Sequence, residues 1–280
     1  MRSKNYFFAV LALISLLAFM GLKIRIDKIP RQKVPGSSII YLPSGKYLKY
    51  ATFGYSSLLA DLIYLWSIQF YSNYDIPHRF DYLEHIYSVI AELDPQYLDP
   101  YELGAMIAIY EAHNPNLAFR ILDMGLEKNP QEWIFPYQAG HYAQMILKDY
   151  ALAQKYYQKA LAIEGAPPIL KRLFAHATYR LGDYRTAWQN WLNIYQSTMD
   201  PRIKKIASNH LYLVKSAMDK EQVEQALRQF RDKLGYYPQR LEDLVSYGFL
   251  SQVPKDLDGQ DYLYDREKGT ITPAQSPWKR

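Results

Sequence analysis

The chain has 280 residues, enough for one extended domain or two compact ones, and 49% of them are hydrophobic, which excludes a disordered chain. Cysteine is absent, so a disulfide framework, a thiolate nucleophile and a cysteine-based metal site are excluded. The net charge is +5, yet residues 1–49 hold nine bases and one acid, Asp27, while the remainder holds 24 bases and 27 acids. A body that bound phosphates would carry the positive charge itself, so nucleic acid is not an expected partner.

Tyr6 to Leu22 is a run of 17 uncharged residues between Arg2 and Lys4 on one side and Lys23 and Arg25 on the other. As a helix it reaches roughly 26 Å, close to the ~30 Å hydrocarbon core of a bilayer, and flanking Lys and Arg can snorkel across the difference. Phe19-Met20-Gly21 is not a small-x-small cleavage site. Residues 1–26 are therefore expected to form an uncleaved single-pass transmembrane anchor. The flanking charges are nearly balanced; the orientation adopted is a short cytoplasmic tail with the body on the extracytoplasmic (periplasmic) side.

Pro30, Pro35, Gly36 and Pro43 mark residues 27–43 as a linker. Ser44 is placed to cap a helix running to about Tyr71, within an aromatic segment at 44–77. That helix is apolar on most faces, with Phe53, Leu58, Leu62, Leu65, Trp66 and Phe70, and so is a first core helix or one that offers a face to a bilayer or partner. Gly45-Lys46 is not a phosphate loop, because the preceding glycines and a following Ser or Thr are missing.

From residue 78 the chain repeats. Phe80, Leu83, Tyr87 and Ile90 lead to Asp94-Pro95; Ala118, Leu122 and Gly125 lead to Asn129-Pro130; Ala153, Tyr157 and Ala160 lead to Gly165-Ala166-Pro167; Ala187, Trp191 and Ile194 lead to Asp200-Pro201. Small residues let helices approach, an aromatic fills the groove beside them, and proline suits the first turn of the next helix. Asp99-Pro100-Tyr101-Glu102 and Asn129-Pro130-Gln131-Glu132 have the form of an N-cap, an N1 proline and a Glu at N3. A degenerate fifth unit has helices near 202–217 and 220–234, with Asp219 and Gln222 as a capping-box-like start.

On these residues, and on Gly182-Asp183-Tyr184, the segment 78–235 resembles the tetratricopeptide repeat, a helix–turn–helix unit of 34 residues. The resemblance implies an all-α chain built as an α-solenoid of four to five repeats, with function on the concave surface lined by the first helix of each unit. Groove-facing candidates are Tyr137, His141 and Gln144 in the third unit and Arg172, His176 and Tyr179 in the fourth.

The tail, 236–280, reads as a small mixed α/β unit: Tyr236-Tyr237-Pro238, a short helix at 241–245, Gly248-Phe249-Leu250, and a hairpin of Tyr262–Asp265 with Thr270–Thr272 around Glu267-Lys268-Gly269. It resembles the C-terminal region of type II secretion major pseudopilins, although Leu257-Asp258-Gly259 stands where that family has Pro-Trp-Gly. Asp256, Asp258, Asp261 and Asp265 are either calcium ligands, which the resemblance implies, or turn residues bonded to local amides. Its apolar residues are expected to dock on the stripe Val223, Leu227 and Phe230.

Histidines stand at 78, 85, 113, 141, 176 and 210, with no His-Glu-x-x-His, no Gly-x-Ser-x-Gly and no glycine-rich phosphate loop. The expected function is non-catalytic: a membrane scaffold holding other proteins in an envelope complex, secretion or pilus related, without a required cofactor. The alternative is a small-molecule or glycan binder using the tyrosine-rich groove.

Overall fold

The computed structural model describes residues 2–27 and 42–278, with side chains over 12–26 and 42–278. Arg2–Asp27 forms one helix, α1. Among the described residues no helix is long and apolar enough to cross a membrane. Residues 6–11 of the uncharged run have side chains outside the described set, as does most of the expected linker, 28–41.

The rest is mostly helical. After α2 (Gly45–Ala51) and α3 (Ser56–Ser72) come α4 (Leu83–Leu93), α5 (Asp99–Tyr110), α6 (Pro115–Lys128), α7 (Ile134–Tyr142), α8 (Tyr150–Leu161), α9 (Ile169–Arg180), α10 (Tyr184–Ser197) and α11 (Pro201–Leu234). From α3 to α11 each helix packs on the next in chain order, and α4 also meets α6, as α5 meets α7. Three hydrogen-bonded side-chain pairs tie alternate helices at nearly constant separation. Arg120 donates to Glu84 at 2.8 and 2.9 Å, Gln138 donates to Glu102, and Tyr156 donates to Asp123 at 3.0 Å, linking positions 36, 36 and 33 residues apart.

The core runs along the stack as a series of local clusters. Tyr87, Ile90, Tyr101, Ile121 and Phe135 anchor the largest; Ala153, Tyr157, Ala160, Leu170 and Ala177 form the next; Ala175, Ala187, Trp191, Ala207 and Leu211 form a third. The small residues are there to let backbones approach. A Cβ on Gly140 would lie 2.6 Å from the Tyr157 ring and one on Gly104 2.9 Å from Tyr87, so α7 and α5 pack close beneath an aromatic that a methyl would displace. Burial of each such aromatic contributes on the order of 2–3 kcal/mol. Side-chain caps start α6, α8 and α10: Asn114, Asp149 and Asp183 accept from the amides of Leu117, Leu152 and Thr186.

Three expectations are corrected. The single helix from Ser44 to Tyr71 is two helices, α2 and α3, because Phe53 and Gly54 both take positive φ, 48° and 97°, and break the ladder between them. The pair of helices at 202–217 and 220–234 is one helix of 34 residues, α11, running from the Asp200 cap and Pro201 to Gly235. No glycine or proline interrupts Arg202–Leu234; Asp219 is not a cap but a buried side chain in mid-helix, paired with Lys215 and accepting from Tyr262 Oη at 2.6 Å. Asn129 does not start a helix either. It closes α6, its side-chain amide donating to the carbonyls of Pro95 at 2.8 Å and Gly125 at 3.2 Å, and α7 begins only at Ile134.

The tail docks on α11. Val223, Ala226, Leu227 and Phe230 pack with Leu241, Leu244, Leu250, Tyr262 and Ile271, around a short helix α12 (Glu242–Ser246) and a hairpin β1 (Leu263–Asp265) and β2 (Thr270–Thr272) in antiparallel register, Tyr264 opposite Ile271. A unit this small buries too little apolar surface to stand alone, which is why it borrows the α11 stripe.

Candidate functional site

Beyond α7 the backbone enters a π-helical turn, Ala143–Leu147, closed by Lys148 in the left-handed region at φ 57°. A π turn absorbs one extra residue within a helix and re-aims the side chains in it. Gln144 lies in this turn and lines a cavity of about 280 Å³ with Ile169, Arg172, Leu173 and His176 of α9, Trp191 of α10, and Ile206 and His210 of α11.

Three of the lining residues carry buried polar atoms without partners among the described residues: Gln144 Oε1, His176 Nδ1 and Trp191 Nε1. An orphaned buried polar atom costs about 1–3 kcal/mol; these three belong to residues that line the cavity, although the atoms themselves are closed off from it.

Aromatic rings build the walls. His210 stacks on Trp191 with centroids 4.0 Å apart and meets His176 edge-on at 6.0 Å; His176 meets Tyr150 at 6.4 Å. Trp278 of the tail lies 5.4 Å from His210 on an edge-to-face geometry. Burial, reinforced by the neighbouring His176, pushes the His210 pKa down to about 4. Burial and the charge of Arg180 lower that of His176, and burial lowers that of His141. These imidazoles are held neutral near pH 7, each able to donate from one nitrogen and accept at the other.

Of the six groove candidates, the cavity gathers Gln144, Arg172 and His176. Tyr137 and His141 lie on α7 with rings 6.1 Å apart, Tyr137 also 6.0 Å from Trp133, and neither lines the cavity. Tyr179 faces elsewhere, 5.7 Å from Tyr184 in a cleft shared with α11 and the hairpin. The sequence reading missed His210 and Trp191 as site residues. A usable signal was present: His141, His176 and His210 stand 35 and 34 residues apart, the period of the repeats, one on each of α7, α9 and α11.

The four tail aspartates are not gathered as metal ligands; among the described residues no group of three or more His, Asp or Glu could hold a metal ion. Asp256 accepts from the amides of Asp258 and Gln260 at 3.0 and 2.8 Å and from Tyr212 Oη at 2.8 Å. Asp261 pairs with Lys255 at 3.4 Å, and Asp265 accepts from the amides of Glu267 and Lys268. The turn reading describes the bonding of Asp256 and Asp265.

No protein-family model matches the chain, and no curated protein matches it either.

Proposed function

We propose that the chain is a non-catalytic scaffold of the tetratricopeptide kind, an α-solenoid tethered to a membrane through residues 6–22 with its body on the extracytoplasmic side. Its inner groove holds an extended segment of a partner protein within an envelope complex, secretion or pilus related. The observation that carries the reading is the cavity among Gln144, Arg172, His176 and His210, on which side chains of the π turn, α9, α10 and α11 converge. An extended peptide brings carbonyl acceptors, which the guanidinium of Arg172 in the cavity lining would meet. The tether rests on the 17-residue uncharged run at 6–22, and the secretion link on the tail's resemblance to major pseudopilins.

The test is a photo-crosslinking residue placed at Gln144 in intact membranes, with one at exposed Lys155 as control. A discrete protein adduct from position 144, absent from 155 and suppressed by Arg172→Glu, is the expected result. The same adducts from both positions would overturn the groove. A glycan or other small ligand is the second reading, favoured by the small volume of the cavity. It requires instead a dialysable ligand that raises Tm by mass action.

A further inference from the structure

Among the described residues, α2 and α3 pack on α4. Gly45 lies against Val89 and Glu92, and Ala60, Ile63 and Ser67 are buried. Their other side is open and apolar: Tyr47, Tyr50, Phe53 and Tyr55 are 71, 78, 91 and 71% exposed, and Leu58, Leu62 and Leu65, at helical spacings of four and three, are each more than half exposed. Contiguous exposed apolar surface on this scale marks a contact with something outside the fold. We propose that this face of α2–α3 rests in the headgroup layer of an anionic bilayer.

Three observations select lipid over a second copy of the chain or another protein. The composition is that of an interface, with tyrosine rings, amphipathic at the water boundary, leading into a leucine stripe. Lys46 and Lys49 are exposed beside those rings, α2 has no acidic residue, and Asp61 is the one acid among the exposed positions of α3. A two-fold pairing of this face would set Lys46 and Lys49 against their copies, with Asp61 and Glu92 the acids beside them, whereas anionic headgroups complement the lysines. Third, only 14 residues separate Asp27 from Leu42, a reach of at most about 50 Å. That stretch and the residues beside it carry Lys23, Arg25, Lys28, Arg31 and Lys33 against the single acid Asp27. The inference rests on the membrane tether proposed above, and it adds an orientation: the first helices of the body lie on the membrane and the docked tail end points away from it.

The cysteine-free sequence makes the test direct. Full-length single-cysteine variants Phe53→Cys, Leu62→Cys and, as a remote control, Met199→Cys, which replaces a 95% exposed side chain, are labelled with an environment-sensitive fluorophore. They are reconstituted with vesicles of phosphatidylcholine and phosphatidylglycerol carrying brominated acyl chains. Flotation reports the tether and quenching reports the docking. The expected result is flotation of all three, loss of most emission at 53 and 62 but not at 199, and recovery of emission when Lys46→Glu and Lys49→Glu are added. A chain that floats without quenching at 53 and 62 overturns the docking and leaves the tether standing; a chain that does not float overturns both. Emission shifted to the blue at 53 and 62 without quenching, with disulfide dimers forming between unlabelled chains, would assign the face to a second copy and overturn the proposal.

Discussion

His210 lies flat on Trp191, the ring centroids 4.0 Å apart and the planes 3° from parallel. Burial there, with His176 close by, lowers the His210 pKa to about 4, against about 6.5 for an unperturbed imidazole. The unfolded chain therefore binds a proton at His210 that the folded chain refuses. The stability tied to this group is fully present above about pH 6.5 and is lost as pH falls towards 4. His176 and His141 shift in the same direction. Tm is expected to fall across this window, and His210→Phe, which keeps the stacked ring, should make the fall shallower. Identical Tm–pH slopes for the two chains would show that His210 takes up its proton equally in the folded and unfolded chain.

A second expectation concerns the close approach of α7 to α8. The Cβ of Gly140→Ala would meet the Tyr157 ring at 2.6 Å, and that ring is fully buried. The helices must separate or the ring must leave its rotamer, at a cost of about 1–3 kcal/mol. Ala187→Leu, at a fully buried position beside Trp191, should cost a similar amount. A urea midpoint unchanged by both would mean that the crossings are looser than these distances.

Much of this architecture is legible in the sequence, because helix stacking is periodic. Ala153, Tyr157, Ala160, Ala187 and Trp191 lie in the core where the repeat spacing puts them, and Val223, Leu227 and Phe230 receive the tail. What is not legible depends on contacts across the chain. Asp219 resembles a helix start until Tyr262, 43 residues on, is seen to bond it. Nothing local marks the π turn that brings Gln144 to the cavity, since its residues Ala143–Leu147 are ordinary helix formers. His210 sits in a segment whose repeat pattern is degenerate, so its spacing from His141 and His176 gains meaning only where α9, α10 and α11 pack together.

The tail aspartates make a third expectation. Asp256 is engaged with two amides and a tyrosine, Asp261 with Lys255, and Asp265 with two amides and Lys268. Calcium would have to displace these bonds without a preformed cluster to receive it. Adding calcium or a chelator should leave Tm and the rate of proteolysis within 240–270 unchanged. Stabilisation that grows with calcium concentration would show a site that forms only on binding.

The last expectation concerns what holds the tail to α11. Asp219 is buried in mid-helix between Lys215, whose ammonium also donates to the carbonyl of Lys255 at 3.1 Å, and Tyr262, whose hydroxyl donates to it at 2.6 Å. Tyr262 itself packs among Leu227, Leu244 and Ile271. Removing its hydroxyl deletes one hydrogen bond to a charged acceptor, so Tyr262→Phe should cost about 1.5–3 kcal/mol. Asp219→Ala should cost more, about 3–5 kcal/mol, because it leaves Lys215 partly buried without its counter-charge and the hydroxyl without its acceptor. The double variant then measures the coupling: if the contact is what matters, Tyr262→Phe should add little on the Asp219→Ala background. Because the tail covers the end of the helical stack, both single variants should also speed cleavage within 240–270 while leaving the α4–α8 region protected. Fully additive losses, or a tail that stays resistant in Asp219→Ala, would show that the apolar stripe alone holds it.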